Sequence, residues 1–130
     1  GNKLITINLG SSTSSDPDFN GLNPGTIEVQ NIDDDNSGIS ISNMNHTVSE
    51  SGTSSSFTVV LNSEPTANVI IPVSSTNTSE AWVSPSTLNF NPGNWNLPQT
   101  VTITGIDDNI QDGNKNFFVN LGSSSSTDPN

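Results

Sequence analysis

Apolar residues recur at every second position along most of the chain. Residues 3–9 set Ile5, Ile7 and Leu9 on one face, and residues 26–32 direct Ile27 and Val29 inward. Residues 38–44 carry Ile39 and Ile41, and residues 47–50 continue that edge. Over residues 56–61, Phe57, Val59 and Leu61 alternate with Thr58; over 68–74, Val69, Ile71 and Val73 alternate with Ile70 and Pro72. Val101 and Ile103 alternate with Thr102 and Thr104 over 99–106, and shorter apolar segments fall at 81–83, 86–90 and 116–121. A period of two is the repeat of a strand with one buried face, and no stretch shows an apolar stripe at helical spacing. Between the segments lie turn formers: Asn23-Pro24-Gly25, Glu64-Pro65, Asn91-Pro92-Gly93 and Asp112-Gly113. Short strands separated by turns predict an antiparallel β-sandwich. Trp95, after a Pro-Gly turn, and Trp82, opening a short strand, are expected to pack in the core or at an edge rather than to form a ligand platform.

The chain also repeats itself. Residues 1–18 read GNKLITINLGSSTSSDPD and residues 113–130 read GNKNFFVNLGSSSSTDPN, an ungapped match at an offset of 112 with 11 of 18 pairs identical. Ile5 and Ile7 become Phe117 and Val119, which keeps the alternation. A shared turn would not preserve so long a stretch. A period this long is a whole domain rather than a solenoid rung. The expectation is therefore that the chain starts late in one module and stops late in the next.

Composition narrows the possibilities. With 130 residues there is room for about one ordinary domain. Only 28% of residues are hydrophobic, so the core must be thin, and a sandwich suits that because each strand buries one face. The net charge is −11, with two basic residues against thirteen acidic ones. That balance argues against nucleic acid and against anionic membranes as partners, and it favours solubility and cations. No segment resembles a signal peptide or a membrane span. There is one histidine, and there is no cysteine or tyrosine, which removes most general-base, nucleophile and zinc arrangements. Paired carboxylates could cleave a glycosidic bond, but the acidic clusters lack aromatic sugar platforms beside them. The chain is accordingly read as non-enzymatic. His46 is expected at the surface, and the glycosylation patterns at Asn45 and Asn77 carry little weight in so Asn- and Ser-rich a chain.

Several segments together resemble a known family. Thr47-Val48-Ser49-Glu50, Phe57-Thr58-Val59-Val60-Leu61 and Thr102-Ile103-Thr104-Gly105-Ile106-Asp107-Asp108 look like the Calx-β repeat of large bacterial surface proteins. Gly25-Thr26-Ile27-Glu28-Val29 and Ile32-Asp33-Asp34-Asp35 resemble its last strand, displaced ahead of the rest. The resemblance implies a seven-stranded, immunoglobulin-like sandwich with strands A to G. Residues 1–35 would be strands F and G of a preceding repeat, and residues 36–130 strands A to F of the next, lacking its strand G.

The resemblance also gives the acidic residues a role. In that family the glutamate after strand A, the acidic E–F loop and the acidic end of strand G meet at one tip. Glu50, Asp107, Asp108 and Asp112 match the first two groups, and Asp33, Asp34 and Asp35 match the third. Calcium takes six to eight oxygen ligands, which clustered carboxylates supply. Asn109 and Gln111 stand where stronger binders carry acids, so one or two calcium ions at modest affinity are expected. The alternative is a solvated acidic tip that resists aggregation.

The function implied is a structural or adhesive module of an extracellular or cell-surface tandem-repeat protein or fibre, stiffened by calcium at module junctions. The alternatives are a glycan- or protein-binding module of an adhesin and an accessory domain of a large secreted enzyme. The expected partners are neighbouring copies of the repeat, head to tail, with a glycan or a host or neighbouring cell surface as further candidates. A strand G donated by one copy would place its Asp33, Asp34 and Asp35 beside Glu50, Asp107 and Asp108 of the next.

Overall fold

The alternating segments form ten strands in a computed structural model that describes residues 1–111 and 113–129. The chain divides into two units, Gly1–Asp35 and Asn36–Asn130.

In the first unit, strand β1 (Lys3–Asn8) pairs antiparallel with β2 (Thr26–Asn31), with Ile5 opposite Val29 and Ile7 opposite Ile27. The long link between them folds on itself: the Ser12 amide donates to the Leu22 carbonyl at 2.8 Å, and the Gly21 amide donates to the Ser12 carbonyl at 2.8 Å. Gly21 and Gly25 have φ of +82° and +91°, values an L side chain rarely adopts. Ile5, Ile7, Ile27 and Val29 share one face and are each 43–50% exposed. The expectation that Ile27 and Val29 point into a core is therefore not met. A two-stranded ribbon has no second layer to cover its apolar face.

The second unit is the sandwich that the alternation predicts, and it is all antiparallel. One sheet has the order β3 (Ile39–Ile41), β4 (Ser54–Leu61), β8 (Gln99–Gly105), β6 (Ala81–Ser84). The other is built on β5 (Val69–Ser75), with β7 (Thr87–Phe90) on one side and β9 (Val119–Leu121) and β10 (Ser125–Ser126) on the other. The facing rows make the core: Phe57, Val59 and Leu61 from β4, Val101 and Ile103 from β8, Ile71 and Val73 from β5, Leu88 and Phe90 from β7, with Ala81. Val59, Ile71, Leu88, Phe90 and Val101 are wholly buried, and burial of each such side chain contributes about 1.5–3 kcal/mol. Among the described residues no polar or charged side chain is buried with them.

The ladders depart from the simple alternating pattern at three places. Val73 faces Leu121 but Ile70 faces Ser125, so the strand opposite β5 gains one residue in between. Pro72 lies at that step and has no amide to give the ladder, and such residues are tolerated at bulges. The segment predicted over residues 38–44 is cut to Ile39–Ile41, because the chain turns at Asn43, whose φ is +47°. Residues 47–50 and 116–118, both predicted as strand, join no ladder.

Candidate functional site

The acidic residues of the sandwich gather at one end through backbone packing. The turn that carries Glu50 is fixed locally. The Ser49 amide donates to Thr53 Oγ1 at 2.7 Å, the Gly52 amide donates to the Ser49 carbonyl at 3.1 Å, and Gly52 has φ of +80°. Gly105, the last residue of β8, lies directly on this turn: a Cβ there would collide with the Ser49 carbonyl. Its amide donates to the Thr53 carbonyl at 3.1 Å. One residue on, the Ile106 amide donates to the Glu80 carbonyl at 2.9 Å. The chain then continues directly into Asp107 and Asp108. Asp108 Oδ1 accepts the Ile110 amide at 2.7 Å, which shapes the loop.

Glu50, Glu80, Asp107 and Asp108 are thus carried to the same tip. Glu80 was not a sequence candidate: it stands alone between Ser79 and Ala81, and only the long-range Ile106–Glu80 hydrogen bond reveals its place. Asp112 lies outside the described residues. Among the described residues, no group of three or more His, Cys, Asp or Glu side chains is close enough to hold a metal ion. The tip shares a location among its carboxylates without forming a coordination shell.

Asp33, Asp34 and Asp35 belong to the first unit. Asp33 forms an ion pair with the chain's N-terminal ammonium, and its amide donates to Asn2 Oδ1 at 2.8 Å. Its Oδ1 accepts the Asp35 amide at 3.2 Å. The hydrogen bond from the N-terminal ammonium, aided by the Asp35 amide, holds the Asp33 carboxyl below the usual carboxylate range.

His46 departs from the expected surface position. It is half-buried, with Nε2 donating to the Asn43 carbonyl at 2.7 Å and Nδ1 2.7 Å from Ser55 Oγ. Its ring lies 5.8 Å from that of Phe57. Both ring nitrogens are engaged in holding the chain after β3, which gives this histidine a structural task. Trp95 packs against the core, whereas Trp82 on edge strand β6 is half exposed.

The Calx-beta domain family matches residues 33–130, a span that includes the whole sandwich. No curated protein and no solved structure matches the chain. Calx-beta domains are immunoglobulin-like β-sandwich modules, generally associated with calcium. The match together with the two facing antiparallel sheets supports one conclusion: the chain belongs to the Calx-beta domain family.

Proposed function

We propose that the chain is a structural module of an extracellular or cell-surface tandem-repeat protein, with no catalytic activity of its own, and that calcium stiffens it at the tip bearing Glu50, Glu80, Asp107 and Asp108. The observation that carries this reading is the close seating of Gly105 on the Ser49 backbone, which brings two acidic loops distant in sequence to one end of the sandwich. An ion joining them would link the β3–β4 connection to the β8–β9 connection. The internal repeat and the family's modular character support a role in spanning distance within an array. The carboxylates at the tip fall short of a full shell among the described residues, so neighbouring oxygens, including the acidic run of an adjoining copy, would supply the remainder.

The test is thermal melting in millimolar calcium against a chelator. Binding to the folded form alone adds about 2.7 kcal/mol at a ligand concentration a hundredfold above Kd. The expected result is a higher Tm in calcium, with the difference abolished in the Asp107→Ala/Asp108→Ala variant. Identical curves in the two buffers would contradict the reading and leave a solvated acidic tip.

A further inference from the structure

The outer face of the sheet β3-β4-β8-β6 carries a regular array of hydroxyl side chains. On β4, β8 and β6 the residues that alternate with the core point outward, and the ladders set them in ranks across the sheet. Trp82, Thr104 and Ser54 stand side by side, followed by Ser84, Thr102 and Ser56. A third rank pairs Thr100 with Thr58. Ser54 Oγ lies 3.1 Å from Thr104 Oγ1, as residues on one face should. Neighbouring strands are about 4.8 Å apart and alternate residues about 6.7 Å apart, so the hydroxyls form a grid.

Two properties set this face apart. None of the ranked residues is charged, although the chain carries a net charge of −11. The one aromatic among them is turned outward. Ala81 and Val83 face the core, so Trp82 between them lies on the opposite side of edge strand β6, where it is 49% exposed. A β-branched partner such as Thr104 suits an aromatic ring across a ladder, yet half of this tryptophan remains in water.

We propose that this face binds a neutral, β-linked glucan, with Trp82 as the stacking platform and the serine and threonine hydroxyls as the hydrogen-bonding bed. A pyranose whose substituents are all equatorial has two flat C–H faces and a rim of hydroxyls. The indole takes the C–H face. Serine and threonine hydroxyls both donate and accept, so they meet the rim without imposing a polarity. Charge decides among glycans. The acidic chain repels a polyanionic one, and the ranks hold no carboxylate to pair with a cationic one. An open face without enclosing walls suits an extended chain lying across it, whereas a small sugar would be held in a pocket. The three ranks run about 13 Å along the strands, which leaves room for more than one ring. Each hydroxyl contact is exchanged for water, so affinity comes from their repetition. This contact adds surface attachment to the spanning role proposed above, and it uses neither calcium nor the acidic tip.

Adsorption to microcrystalline cellulose tests this, measured as depletion of the chain from solution at physiological salt. The unaltered chain should adsorb equally in calcium and in chelator, which separates this result from the melting test. Trp82→Ala should lower the affinity at least about tenfold, as truncation of an anchoring aromatic does. Trp82→Phe should recover part of that loss. Thr102→Val, which keeps the shape and removes one hydroxyl, should weaken adsorption by less than Trp82→Ala. Both positions lie outside the core, and far-UV circular dichroism verifies that each variant is folded. No adsorption, or equal adsorption by Trp82→Ala, would overturn the proposal. So would adsorption that requires calcium or is lost in high salt, because it would belong to the charged tip. Self-association in sedimentation that Trp82→Ala removes would also overturn it, by making a second copy the occupant.

Discussion

One strand sequence occurs twice in this chain under opposite circumstances. Lys3–Asn8 has a complete ladder with β2 but no second sheet within its own unit, and Ile5 and Ile7 are about half exposed. Its equivalent over residues 115–120 has the core beneath Phe117 and Val119, while its outer side borders a groove. The comparison separates two contributions that strands normally receive together. Ladder hydrogen bonds are exchanged with water and give modest net stability, whereas apolar burial supplies the larger part. The ribbon is therefore expected to be the weak region and the sandwich the strong one, although both carry the same pattern.

Core truncation gives the largest expected contrast. Phe90→Ala empties a wholly buried site and should cost about 3–5 kcal/mol in urea unfolding of the sandwich. Ile5→Ala in the ribbon should fall within about 0.5 kcal/mol, as for other exposed sites. Equal losses would mean that the ribbon is packed in solution. Next in size is Gly105→Ala, whose Cβ meets the Ser49 backbone and not a flexible side chain. It should cost about 1–3 kcal/mol by the same measurement and should also reduce any calcium-dependent rise in Tm, because the Glu50 turn must shift. An unchanged midpoint would show that the two loops do not depend on their contact. The smallest contrast compares the repeat with itself: Phe117→Ala should cost about 1 kcal/mol, clearly more than Ile5→Ala at the equivalent position.

Much of the sandwich was legible because alternation is a local signal that survives in a thin core. Phe57, Val59 and Leu61 against Thr58, and Val101 and Ile103 against Thr102, point inward as their spacing requires. The same rule misplaced Ile27 and Val29, since period two reports which face is apolar and not whether a layer covers it. It also made strands of residues 47–50 and 116–118, which have the pattern but join no ladder. The bulge opposite Pro72 and the pinning of His46 depend on partners far along the chain, and no local pattern announces them. The tip was readable in part. Clustered acids marked the Asp107-Asp108 loop, and resemblance marked Glu50. Glu80 required the fold, because a lone glutamate carries no signal until Ile106 donates to its carbonyl.

The central claim is that the seating of Gly105 on the Ser49 backbone brings two acidic loops to one tip, where calcium is proposed to bind. Calorimetric titration of calcium into the chain and into its Gly105→Ala variant tests it most directly. The account predicts binding to the unaltered chain and binding weaker by at least about tenfold, or 1.4 kcal/mol, to the variant. Equal affinity for both, or no binding by either, would contradict it.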